Sequence, residues 1–203
     1  MAAVHVAQRM TAEEFLARPF EEGLRRQELV DGEIVVGEPT PRHNSVQKDL
    51  LFALESWIRG GEGRGQVFIP LDVKLDDLNV FAPDISWYRA SNPVDLDSKP
   101  PSPLPDLAVE VRSPSTWRYD LGAKMATYER RGLPELWLVD TPAEQVLVFR
   151  RSSTDSARFD IALELGGGDS LTSPLLPGFA TGLDELFARP GGGEAQRHPA
   201  PPG

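Results

Sequence analysis

The sequence predicts an α/β (α+β) domain, a mixed β-sheet with helices packed against it. Three observations lead there. Short apolar runs rich in Val, Leu, Ile and aromatic residues recur between Gly, Pro, Asn and Asp turn signals. Two longer segments space their apolar residues at helical intervals instead. The chain has 203 residues, 40% of them hydrophobic and 26% charged, enough for one domain with tails and a core of useful size.

Each element has its own signal. Thr11-Ala-Glu-Glu14 is a capping box that opens a short helix carrying Phe15 and Leu16. Glu28 to Val36 reads as a hairpin, because two apolar arms flank Asp31-Gly32, a strong two-residue turn signal. Thr40-Pro41 looks like an N-cap and first helical residue. Val46, Leu50, Leu54, Trp57 and Ile58 then recur at helical spacing up to Gly60-Gly61. Strands are predicted at Gln66 to Val73 and Ile85 to Tyr88, followed by a Pro- and Asp-rich loop over Asn92 to Pro105. Leu107, Val109 and Val111 alternate with Ala108, Glu110 and Arg112, a strand with two different faces. Asp120 can cap a helix striped by Leu121, Met125 and Tyr128, which Gly132 and Pro134 end. Glu135 to Asp140, Gln145 to Phe149 and Phe159 to Leu165 read as three more strands, and Leu183 to Ala188 as a last helical turn. Residues 1–9 are expected to be a flexible N-terminus, 10–188 the folded domain and 189–203 a disordered tail.

Composition excludes several classes. There is no cysteine, hence no disulfide frame, no thiolate zinc site and no thiol nucleophile; a reducing cytoplasm fits. No apolar run approaches the roughly 20 residues of a membrane span, and the first residues lack the apolar stretch of a secretory signal. The formal net charge of -10 argues against a protein that coats nucleic acid electrostatically. It leaves room for an enzyme that meets nucleic acid through a local patch. Between Glu110 and Arg131 five basic residues stand against three acidic ones. No Gly-rich phosphate loop joins a strand to a helix, so a Rossmann or P-loop nucleotide site has no support.

The residues best suited to chemistry are Asp84, Glu110 and Lys124, with Glu28 nearby. Asp84 follows Pro83 at the mouth of a strand. Glu110 interrupts the apolar run Leu107-Ala-Val-Glu-Val111, where a carboxylate is costly unless it is paired or holds a cation. Two carboxylates on neighbouring strands offer the hard oxygen ligands that Mg²⁺ or Mn²⁺ prefers. A nearby Lys can orient or deprotonate an attacking water and stabilise charge on a phosphate. From spacing alone, an acidic residue on a strand is more often salt-bridged or at a solvated edge than a metal ligand.

Several segments, in order, resemble the restriction-endonuclease-like family known as Uma-two, within the PD-(D/E)XK nuclease superfamily. They are Glu28 to Glu33, Pro41-Arg-His-Asn44, Pro83-Asp84, Pro105 to Ser115, Asp120 with Lys124 and Tyr128, Gly132 to Asp140, and Leu176-Pro-Gly-Phe179. The resemblance spans about residues 10 to 188 and implies a restriction-endonuclease-like mixed sheet flanked by helices. It implies a site of Glu28, Asp84, Glu110 and Lys124, with Asp84, Glu110 and the carbonyl of Val111 holding Mg or Mn. The superfamily lysine ordinarily stands two places after the Glu; that place holds Arg112, so the resemblance shifts the role to Lys124. Arg112, on the face of Glu110, could contact a phosphate or pair with Glu110. Ser113, Ser115 and Arg118 are further candidates for phosphate contact.

Other residues receive plainer readings. Asp106 lies four residues from Glu110, about 13 Å along a strand, too far to share a cation with it. Glu28 could simply salt-bridge Arg25 or Arg26. His43 reads as a helix-capping or solvated residue, Tyr128 and Trp137 as core, and Trp117 as a loop residue able to stack on a base. The implied function is a metal-dependent endonuclease acting on nucleic acid, DNA in the first place, without a membrane partner. A homodimer suits the cutting of two strands. The alternative is a nuclease fold that no longer cuts and serves as a binding or regulatory module.

Overall fold

The computed structural model describes residues 9–19 and 26–189, so the expected flexible ends fall outside it except for Arg9 and Arg189. The first helix, α1 (Ala12–Leu16), starts as its capping box dictates: Thr11 Oγ1 accepts from the Glu14 amide and Glu14 accepts from the Thr11 amide. Strands β1 (Gln27–Val30) and β2 (Glu33–Val36) form the expected hairpin. Its turn holds Asp31 and Gly32 at φ of 51° and 78°, the left-handed pair that favours Asp-Gly. Helix α2 (Pro41–Arg59) is capped by Thr40, whose hydroxyl accepts from the His43 amide, and it buries Val46, Leu50 and Leu54.

The next stretch departs from expectation. The strand predicted over Gln66 to Val73 is two strands, β3 (Gln66–Phe68) and β4 (Val73–Asp76), with Pro70 between them. Proline has no amide hydrogen to give a ladder, so the strand ends there. A further strand, β5 (Asn79–Phe81), returns beside β4. Asp76 closes that turn by accepting from the Leu78 amide and the Asn79 side chain. The polar run Asp76-Asp77-Leu78-Asn79 hides this hairpin in the sequence.

Strands β6 (Ile85–Tyr88), β7 (Leu107–Val111), β8 (Glu135–Asp140), β9 (Gln145–Arg150) and β10 (Ile161–Leu165) follow. They build a six-stranded mixed sheet ordered β10-β9-β8-β7-β6-β3, in which only β7 and β8 run parallel. One predicted sheet is therefore three: the hairpins form a separate four-stranded sheet, β2-β1-β5-β4, and β11 (Ser170–Leu171) pairs with β12 (Thr181–Gly182). Helix α5 (Leu183–Leu186) closes the described chain.

Both faces are covered at the centre of the six-stranded sheet, so β7 is buried along its whole length, while the edge strand β10 exposes Ala162, Leu163 and Glu164. On one side Ile85, Leu107, Val109 and Trp137 meet Leu50 and Leu54 of α2. On the other, Ala108, Leu136 and Leu138 meet Phe81, Leu75 and Tyr128.

The crossover from β7 to β8 is not one regular helix. It runs as α3 (Trp117–Tyr119), a π-helical turn (Asp120–Lys124) and α4 (Met125–Arg131). Gly132, at φ 85°, ends α4, and the Leu133 amide then reaches back to the Tyr128 carbonyl.

Candidate active site

Sheet register brings the first two carboxylates together. Strands β6 and β7 are antiparallel with Ile85 opposite Val109, so Asp84 stands across from Glu110 one step further on. Asp84 is 4% exposed and Glu110 3%. Asp84 Oδ2 accepts from the Val111 amide at 2.7 Å, tying the end of β6 to the strand that carries Glu110. Its Oδ1 takes Arg26 Nη1 at 2.6 Å and His43 Nε2 at 3.2 Å. Gln47, one helical turn after His43, donates to the Asp84 carbonyl at 2.7 Å. The first turns of α2 thus hold Asp84 through both its side chain and its backbone.

Lys124 lies among three carboxylates. Its Nζ is 2.9 Å from Glu28, 2.8 Å from Glu110 and 3.1 Å from Asp120. Glu28 also accepts from the Ala82 amide at 2.7 Å, which docks the four-stranded sheet at the site. Glu110 Oε1 accepts from the Tyr128 hydroxyl at 2.8 Å, while its Oε2 makes no hydrogen bond among the described residues. Asp120, Lys124 and Tyr128 are spaced four apart, and all three reach one cluster. The π-helical turn that carries Asp120 and Lys124 is a form often found at functional sites.

The electrostatics follow from burial and crowding. Burial would raise the Asp84 carboxyl, but the His43 hydrogen bond and the Arg26 charge outweigh it and hold it at about 2. For Glu110 burial wins: despite Lys124, the carboxyl is pushed up to about 8, with Glu28, Asp120 and Asp84 adding repulsion. Burial works against the Lys124 ammonium, yet Asp120, Glu110 and Glu28 hold its titration well above the ordinary lysine range. His43 is likewise raised against burial, chiefly by Asp84; its Nε2 faces Asp84 and its Nδ1 lies 3.4 Å from the Arg112 carbonyl.

Four buried carboxylates therefore share Arg26, Lys124 and His43, and one of them retains its proton to near neutrality. Burial first, and the neighbouring carboxylates after it, disfavour the charged form of Glu110, and a bound cation would offset both. The Glu110 oxygen without a hydrogen bond and the facing Asp84 supply hard oxygen donors of the kind Mg²⁺ or Mn²⁺ takes. Among the described residues no three His, Asp or Glu side chains form a complete metal-holding group, so main-chain oxygens such as that of Val111 would have to contribute. A cleft of ≈ 380 Å³ opens onto this cluster, its lining including Glu28, Asp84, Glu110, Val111 and Lys124, with Asp120 and Tyr128 behind it.

The four residues expected for substrate contact divide. Ser113 lines the cleft, buried and bonded to the Thr116 hydroxyl at 2.7 Å. Arg112 does not pair with Glu110: its Nη1 sits 2.9 and 2.8 Å from the two oxygens of Asp140, the end of β8, with the guanidinium over the Trp117 ring. Ser115 accepts from the Glu38 amide, and Arg118 lies over Tyr119 and donates to its hydroxyl, both outside the cleft lining. Asp106 holds Arg89 and Asn92 and takes no part in the cleft. Arg26, His43, Gln47 and Asp120 are partners that the sequence reading did not place at the site. Tyr128, expected as core, is fully buried but also touches Glu110. Only the four-residue spacing of Asp120, Lys124 and Tyr128 carried a local signal.

Comparison with known proteins places the chain by fold and family. No curated protein matches the sequence. The solved structure of a protein from Anabaena variabilis ATCC 29413, described as "a putative nuclease belonging to DUF820", superposes with a TM-score of 0.72 at 20% sequence identity, over 88% of this chain and 97% of that one. At that identity the likeness establishes a shared fold. The model of the Uma2 family, described as "Putative restriction endonuclease", matches residues 12–185, from α1 into α5 and across every site residue described above, and the chain belongs to that family.

Proposed function

We propose that this protein is a divalent-metal-dependent endonuclease that hydrolyses phosphodiester bonds of nucleic acid, DNA in the first place. The observation that carries the reading is the pairing of Asp84 with Glu110 across β6 and β7, with the Lys124 ammonium 2.8 Å from Glu110. Asp84, Glu110 and the Val111 carbonyl are the groups that would hold Mg²⁺ or Mn²⁺. Such an ion, when bound, polarises the phosphodiester and lowers the pKa of an attacking water. The chain's own groups do the rest. Lys124 keeps its proton, so it orients water and offsets charge on the phosphate rather than acting as a base. Glu28 and Asp120 fix that ammonium, Tyr128 orients Glu110, and Arg26 and His43 orient Asp84. Among the described residues no helix is long and apolar enough to cross a membrane, and the cysteine-free chain fits the cytoplasm.

The test is supercoiled plasmid incubated with Mn²⁺ or Mg²⁺ beside Asp84→Ala and an EDTA control. Nicking that requires metal and vanishes in the variant is the expected result. A second reading, a nuclease fold that binds without cutting, draws on Arg112, which stands at the usual lysine place and is committed to Asp140. Folded wild type that neither binds metal nor nicks would establish that reading instead.

A further inference from the structure

One wall of the cleft serves no part of the chemistry just described. Pro39, Leu51, Ile69 and Pro70 line the same cleft as the carboxylates. Ile69, on the short link between β3 and β4, is 59% exposed. Leaving an isoleucine in water forgoes the stabilisation that burial would bring, so the fold gains little from it there. Asn44 of α2 also lines the cleft, exposed, and its side-chain amide makes no hydrogen bond among the described residues. An apolar face with a free amide beside it is what a nucleobase needs: a surface for its ring and a partner for its edge.

Charge and size decide which form of nucleic acid fits. A duplex carries one negative charge about every 1.7 Å and is held by many cations. Among the described residues every Lys or Arg lining this cleft already has a carboxylate partner. Arg26 has Asp84 and Lys124 has its three acids, while Lys48, 3.2 Å from Asp49 in an exposed pair, is the one cation of the described lining left within reach of a phosphate. Duplex interfaces also bury on the order of 1,000–2,500 Å² of protein surface. A cleft of ≈ 380 Å³ is the size of a small-ligand pocket and can admit one nucleotide.

We infer that the cleft takes an unpaired nucleotide, from a single strand or a locally melted duplex, with its base against Ile69, Pro70 and Leu51 and its phosphate toward the acid–lysine cluster. This rests on the endonuclease reading for what happens at the phosphate, but not for the binding itself. An unpaired substrate also removes the need for a two-fold pair of clefts.

The experiment measures binding of a fluorescent 12-mer by anisotropy in Mg²⁺, single-stranded and as duplex, in DNA and RNA, with the oligonucleotide checked intact by gel. The proteins are the wild type, Ile69→Ser, and Phe52→Ser as a control on the exposed side of α2, outside the cleft lining. The expected result is single-strand binding at least tenfold tighter than duplex. Ile69→Ser should cost about tenfold on the single strand alone, and Phe52→Ser should change nothing. Equal affinity for duplex, an equal loss on both forms in Ile69→Ser, or no binding of any oligonucleotide overturns the inference. Because the wild-type comparison stands alone, the inference remains testable even if Ile69→Ser misfolds. Cleavage of linear duplex as fast as of single strands would sink the inference and leave the endonuclease standing. Selective single-strand binding without any cleavage would do the reverse.

Discussion

Lys124 is the residue on which the site turns. An ammonium fully removed from water costs several kcal/mol unless ion pairs and hydrogen bonds replace its hydration. Glu28, Glu110 and Asp120 do so here, each within about one hydrogen-bond length. Removing the lysine leaves those carboxylates facing one another without their cation. Lys124→Met is therefore expected to destabilise the fold by about 3–5 kcal/mol. Glu110→Gln in the same chain relieves part of the repulsion, so the double variant should lose less than the sum, with a coupling of about 0.5–3 kcal/mol. Urea unfolding of the four proteins measures the cycle, and strict additivity would mean that Lys124 and Glu110 do not interact as described. At this scale one half of the candidate cluster was legible in the sequence. Glu110 was conspicuous as a charge inside an apolar strand, and family resemblance pointed to Glu28, Asp84 and Lys124. Their partners were not legible, because Arg26 meets Asp84 across 58 positions of chain, a proximity that only the sheet creates.

Among the elements, those with strong local rules appeared where the sequence put them. The capping box of α1, the Asp-Gly hairpin and the Thr40 cap of α2 are decided by a few neighbouring residues, so local reading suffices. The strands β5, β11 and β12, two or three residues long, are decided by distant partners, and no periodicity can show in so short a run. The π-helical turn was hidden for a related reason: one extra residue per turn barely disturbs an apolar stripe, yet it belongs to the segment that carries Asp120 and Lys124 to the cluster. The end of that segment is fixed by Gly132 at φ 85°, where a Cβ would meet nothing within 4 Å. The cost of a side chain there is purely conformational, so Gly132→Ala should lose about 1–2 kcal/mol. Gly132→Asn should lose less, because Asn tolerates the left-handed region. Thermal unfolding of both variants checks this; an equal loss would point to packing at Gly132 instead of backbone strain.

For the whole molecule, charge and architecture meet at the cleft. The central strands β7 and β8 of the six-stranded sheet are covered on both faces, so the candidate groups they carry can reach solvent only where those strands end. The open end of β7 and the start of β6 form such a place. The formal charge of -10 was legible from composition, but its consequence depends on where the cations stand. Of those that line the cleft among the described residues, Arg26 and Lys124 are held by buried carboxylates and Lys48 stands exposed, so few are left to displace counterions from a nucleic acid. Each phosphate neutralised on a single strand contributes about -0.7 to the slope of log affinity against log salt concentration. One to three such contacts give a slope of about -0.7 to -2, whereas a duplex-coating surface with six contacts gives about -5. Titrating the single-stranded 12-mer at several salt concentrations and constant Mg²⁺ is expected to give the shallow slope. The steep one would mean that a basic surface outside this cleft, and not the apolar wall beside the carboxylates, holds the strand.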